Sequence, residues 1–228
     1  GKGPAGLTAA YYLARQGCKV ALYERKLSIG GGMRGGGMMF NKIVVQEDAR
    51  PVLEEIGIVH RLYHPGFSVA DSIEAVSALC YRAVRTGARI FNLISVEDVM
   101  IRENDRVTGL VLNCSALEMA RLHVDPLTVR CRCAIDATGH DAEVCNLPVR
   151  KTWRKVSSAT GQVMGERPMW AELAEKETVA HTGEVFPGLQ AAGMTVNAVH
   201  GLPRMGPIFG GMLLSGKKAA EIAADQLK

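Results

Sequence analysis

The chain has 228 residues, 47% hydrophobic and 22% charged, enough for one large globular domain and too balanced for a disordered or fibrous chain. Its net charge of +4 is spread over scattered pairs such as Arg25–Lys26 and Arg150–Lys151, with no basic block interleaved with aromatics, which speaks against a nucleic-acid binder. No apolar run reaches the roughly 18 residues of a membrane span and no signal peptide is visible; the six cysteines form no C-x-x-C pair and read as reduced, mostly buried thiols, so the expected compartment is the cytoplasm.

The chain opens on G-K-G-P-A-G (Gly1–Gly6), a G-x-G-x-x-G loop. Such a loop normally follows a β-strand, so the sequence is expected to be N-terminally truncated, with the central strand lying before Gly1. From Pro4, apolar spacing of three and four predicts a helix that Gly17 stops. Residues 18–25 predict a buried parallel strand. Two Gly triplets within 27–40 predict a loop without regular structure, whose backbone approaches something closely. Helices are expected over 49–58 and 71–88. Strands are expected over 88–101 and 105–114, joined by a turn at Arg102–Asp105. Residues 127–140 predict a strand running into a turn at Thr138-Gly139, with the Cys131 and Cys133 thiols on one side. Residues 146–170 read as irregular, 185–194 as a short strand entering a loop, and the end of the chain as a helix. This order predicts an α/β, flavoprotein-like two-dinucleotide-binding (Rossmann-type) fold. It makes one dinucleotide-binding domain over 1–228, with βαβ and an inserted strand/helix subdomain.

Three groups of residues carry chemistry. Glu24 lies eighteen residues after Gly6, at the end of the second expected strand, where an acid reaches ribose hydroxyls while the pyrophosphate sits on the helix N-terminus. Arg25, beside it, is expected on the adenosine side. His123, Asp125, His140 and Asp141 are ligand types suited to Fe(II), Mn(II) or Zn(II), although a loop His beside Asp also forms an ordinary hydrogen-bonded pair, and both readings stay open. The closing run R-M-G-P-I-F-G-G-M leads into a helix start offering a close backbone approach to an anion. Arg204, held stiffly between Pro203 and Met205-Gly206-Pro207, is expected to fork onto a carboxylate.

The runs G-L-T-A-A-Y-Y-L-A, E-R-K-L-S-I-G-G-G-M, L-H-V-D-P-L-T-V, D-A-T-G-H-D-A-E-V and R-M-G-P-I-F-G-G-M-L-L-S-G-K-K-A-A-E together resemble the thiamine-thiazole synthase family, in its archaeal and bacterial sulfide-dependent branch. The resemblance covers nearly the whole chain. It implies an enzyme that consumes NAD as substrate and builds adenosine diphosphate thiazole from NAD, glycine and sulfide with Fe(II). Nicotinamide leaves, the ribose opens to a ketone, glycine forms an imine, and sulfur enters before cyclisation. The resemblance places Ala5, Glu24, Arg25, Gly32, Val96, His123, Val124, Asp125 and Met194 around NAD, and Arg204 on glycine. It places Asp125 and His140 on iron, with Asp125 reaching in from a neighbouring subunit of a homo-octamer. The eukaryotic branch carries at position 123 a Cys that gives up its own sulfur. Here His123 has none to donate, so the resemblance implies external sulfide, true turnover, and a catalytic imidazole that shuttles protons or serves as an outer ligand. The chain departs from the family pattern at Lys2, where a small residue is usual against the phosphates, and at Arg34, where an aromatic is usual. An FAD-dependent oxidoreductase of the same fold and a non-catalytic NAD-binding protein are the alternatives.

Overall fold

The computed structural model describes residues 1–37 and 39–228, Glu103 through its backbone alone. The helices are α1 (Pro4–Arg15), α2 (Arg50–Ile56), α3 (Ser72–Arg85), α4 (Ser115–Met119), α5 (Asn146–Thr152), α6 (Ala171–His181), α7 (Met194–His200) and α8 (Gly210–Leu227). The strands are β1 (Ala21–Glu24), β2 (Lys42–Gln46), β3 (His60–His64), β4 (Phe67–Asp71), β5 (Arg89–Asn92), β6 (Ile94–Arg102), β7 (Arg106–Cys114), β8 (Leu127–Arg130), β9 (Ala134–Asp136), β10 (Gly183–Phe186) and β11 (Leu189–Ala191).

α1 begins where the N-terminal loop ends, because Pro4 at the first helical position lacks an N–H that would need a partner. Eleven of its twelve residues are buried, so it is an interior helix. It packs on α8 through small residues: a Cβ on Gly216 would lie 2.3 Å from the Ala5 carbonyl oxygen, so only glycine lets the two backbones come this near. α3 is fixed at its start by Asp71, whose carboxylate accepts from the N–H groups of Ile73 and Glu74 at 2.9 and 3.2 Å.

β1 pairs parallel with β5, Ala21 opposite Arg89. β11 pairs parallel with β9 and antiparallel with β10. Two antiparallel meanders complete the strands, in the orders β2–β4–β3 and β6–β7–β8. One core joins α1, α2, α3 and α8 through Leu7, Leu53, Leu79 and Leu213; a second, through Val107, Leu189 and Val199, lies under β9–β11, α5 and α7.

Four expectations need correcting. The strand expected over 88–101 is two strands in different sheets, because Leu93 takes a left-handed φ of 55° and turns the chain from β5 into β6. The strand expected over 127–140 breaks at residues 131–133 into β8 and β9, so Cys131 and Cys133 share no strand face. The Gly-rich stretch 27–40 contains a short 3-10 helix, Gly31–Gly35; its Met38 lies outside the described residues. α5 occupies the start of the segment expected to be irregular.

Candidate active site

The N-terminal loop uses its three glycines differently. A Cβ on Gly1 would lie 2.3 Å from the Ala137 carbonyl oxygen and one on Gly6 2.0 Å from that of Gly1, whereas one on Gly3 would meet nothing within 4 Å. The first and third glycines therefore serve packing, and the second leaves open backbone for a ligand to approach. The carboxylate of Glu24 accepts from the Lys2 and Lys26 backbone N–H groups at 2.8 and 2.9 Å, tying the end of β1 to the loop. The Gly-rich stretch sits on the same loop: Gly30 N–H donates to the Lys2 carbonyl at 2.9 Å, and a Cβ on Gly31 would lie 3.0 Å from the Gly3 Cα. Gly32 is exposed beside that contact, and Ala5 is buried.

Lys2 does not lie against a phosphate position, as its place in the motif suggests. Its side chain is wholly buried and its ammonium donates to the Asn92 side-chain oxygen, while Asn92 Nδ2 donates to the Leu27 carbonyl at 2.6 Å. The start of α8 also differs from its expected role. Gly211 N–H donates to the carboxyl group of Glu175 on α6, so the acceptor at this helix terminus is the chain's own.

β1 and β9 both line a cavity of about 880 Å³. Among the described residues β1 pairs only with β5 and β9 only with β11. Leu13, Leu22 and Ile135 line the cavity's apolar part, which lies between the edges of β1 and β9 where the sheet expected from the sequence has its central strand, and Glu24, Arg25, Thr138 and Glu143 form a polar mouth. The mouth lies at the carboxyl ends of β1 and β9, where doubly wound sheets bind their ligands. Arg25, Val96 and Glu143 also line an adjoining cavity of about 680 Å³. Arg25 pairs with Glu143. Burial raises the Glu143 carboxyl, with Arg25 opposing it.

The turn after β9 is held from below. Asp136 is buried and accepts from the N–H and hydroxyl of Thr138 at 2.9 and 2.7 Å and from Cys145 N–H at 2.8 Å. Thr195 on α7 accepts from Gly139 N–H at 3.0 Å and donates to its carbonyl at 3.2 Å. His140 is thereby presented with its Nδ1 2.8 Å from each carboxylate oxygen of Glu166. The segment after α7 carries Arg204, which is exposed between buried Pro203 and Met205. Its backbone N–H donates to the Arg167 carbonyl at 3.1 Å, so the cation stands on a fixed stalk.

Other expected site residues stand apart. Leu122–Pro126 has no regular structure; His123 and Asp125 side chains are 95% and 98% exposed and 3.9 Å apart, and Val124 is exposed. Met194 is buried with Ala174 and Met205. Among the described residues no three His, Cys, Asp or Glu side chains form a metal-binding group.

Residues 1–209 match the Thi4 family. A thiamine thiazole synthase of Methanothermobacter thermautotrophicus is 60% identical over 228 residues, covering 100% of this chain and 88% of that protein. The chain belongs to the Thi4 family. The crystal structure of Thermovibrio ammonificans THI4 has a TM-score of 0.97 and 49% identity, over 100% of this Thi4 chain and 88% of that one. A Rhodococcus jostii 3-ketosteroid dehydrogenase, 15% identical with a TM-score of 0.50 over 62% of this chain and 45% of its own, shares the fold alone. The expected α/β, Rossmann-type fold is therefore the one found. No helix among the described residues is long and apolar enough to cross a membrane.

Two residues that contact the turn bearing His140 had no signal in the sequence of this Thi4 chain. Glu166 and Thr195 lie 26 and 56 residues from the partners they hold, in no recognisable motif.

Proposed function

We propose that this Thi4 enzyme forms the thiazole ring of thiamine as adenosine diphosphate thiazole, consuming NAD, glycine and sulfide with Fe(II). The thiazole product follows the name of its 60%-identical relative. The observation that carries the NAD half is the open Gly3 backbone, next to Lys2 whose backbone N–H donates to Glu24. There the pyrophosphate meets N–H groups at the start of α1, and Glu24 keeps lone pairs for ribose hydroxyls. Arg25 and Val96 flank the adenosine.

Arg204 binds the glycine carboxylate through its planar fork, and its stiff stalk limits the entropy lost on binding. His123 gives and takes protons as sulfur enters. The sulfur comes from outside the chain, since His123 holds none to donate; of the thiols, half-buried Cys133 is pushed up to about 11 and buried Cys145 well above the ordinary thiol range by burial, so neither of these two is a ready nucleophile.

His140 and Asp125 would hold Fe(II), a nitrogen and a carboxylate whose chemistry fits that ion. In this reading Asp125, almost fully exposed, faces the next subunit of a homo-octamer rather than its own His140. The ion would supply Lewis acidity where two protein ligands leave positions open.

Arg204→Ala tests the assignment of glycine. The KM for glycine should rise by roughly 30-fold or more, the worth of a lost charge-assisted pair, while NAD affinity changes less than about twofold, within ordinary surface-mutation scatter. Equal loss of both would remove Arg204 from the glycine site. A tightly bound yellow flavin in the purified protein, with no NAD binding by calorimetry, would replace the whole reading with an FAD enzyme.

A further inference from the structure

We propose that Glu166 is a positioning residue that fixes the tautomer and direction of His140 for a divalent metal ion. This rests on the reading of His140 as an iron ligand. Both carboxylate oxygens of Glu166 lie 2.8 Å from His140 Nδ1. An ionised carboxylate only accepts, so Nδ1 carries the ring proton and Nε2 keeps its lone pair. That is the form of imidazole a metal requires, and a carboxylate behind the ring holds it in that orientation.

The two side chains differ in exposure as such a pair should: 13% for Glu166 and 49% for His140. The support is held back in the protein while the ring stays reachable. Glu166 is clamped on both sides. Gly165 N–H donates to the Ala198 carbonyl at 2.9 Å, and Arg167 N–H to the Leu202 carbonyl at 3.0 Å. The clamp is also the stretch that bears Arg204, and Thr195 of the same helix holds Gly139. Both supports of His140 therefore hang on α7 and the loop that follows it, which couples the direction of His140 to the place of Arg204.

The test is titration of the whole protein with Co(II), followed by its visible absorption, with a melting midpoint recorded for each variant. Glu166→Ala should weaken Co(II) binding by roughly 10- to 100-fold. Glu166→Gln, whose amide oxygen can still accept from Nδ1–H, should lose less, and it decides the matter if the alanine variant does not fold. His140→Ala should lose the site. If both Glu166 variants bind Co(II) like the parent while His140→Ala does not, Glu166 has no positioning role and the metal reading stands. If His140→Ala itself binds like the parent, the metal reading falls and the role of Glu166 with it.

Discussion

Single residues divide sharply here between those that make the fold and those left free to meet a ligand, and the glycines of the first loop show it best. Gly6 has no room for a methyl group, since its Cβ would sit on the Gly1 carbonyl oxygen, whereas Gly3 at φ −69° and ψ 178° can take an alanine without strain. Gly6→Ala should cost about 1–3 kcal/mol or more by overpacking, read as a lower denaturant midpoint. Gly3→Ala should leave that midpoint within about 0.5 kcal/mol of the parent and weaken NAD binding, because the methyl group enters the ligand's space. A Gly3→Ala protein that binds NAD normally would show that the pyrophosphate does not lie there. The motif in the sequence named both glycines alike; only the surroundings separate them. Lys2 makes the converse point. Its place in the motif suggests a phosphate neighbour, yet its side chain runs under the loop to Asn92, and sequence spacing cannot reveal that direction.

At the scale of elements, the helix pair α6 and α8 carries a titratable joint. Burial pushes the Glu175 carboxyl from an ordinary 4.5 up to about 7, offset in part by Gly211 N–H and the Gln46 side chain. Between those values the folded protein holds a proton that the unfolded chain has lost. Stability from this group therefore falls as pH rises from 4.5 to 7 and is level above. Relative to Glu175→Gln, which cannot ionise, the parent should lose up to roughly 3 kcal/mol across that window. Melting curves of both proteins at several pH values check this; parallel curves would refute it. α6 was also the element least legible in the sequence. Its buried residues are Ala174, Glu175 and Thr178, so the inward face carries no apolar stripe. α7 hid for the opposite reason: Met194–Val199 are all buried, which erases any contrast between faces. α1, α3 and α8 were readable because caps, stops and apolar spacing agreed there. β6 and β7 were readable as a hairpin, but the bend at Leu93 that separates β5 from β6 has no glycine to announce it.

For the whole molecule, the proposed function requires more than one chain. His140 is held by its own fold, while Asp125 stands on an exposed segment beside exposed Leu122 and Val124. If subunits share the metal, Asp125→Ala and His140→Ala proteins should each be inactive, yet regain about a quarter of parental activity when unfolded and reassembled together, because random mixing restores one site in four in a symmetric oligomer. No recovery would place both ligands in one subunit or remove one of them. Such sharing could be read from family resemblance but not from the chain itself, since a residue that serves a neighbour leaves no contact within its own fold. Catalytic use of external sulfide is read from a count of product. Protein supplied anaerobically with Fe(II), NAD, glycine and sulfide should yield several adenylated thiazole molecules per chain, with the chain's mass unchanged. Product capped at one per chain, on a protein lighter by a lost sulfur, or no thiazole at all with iron bound, would contradict it.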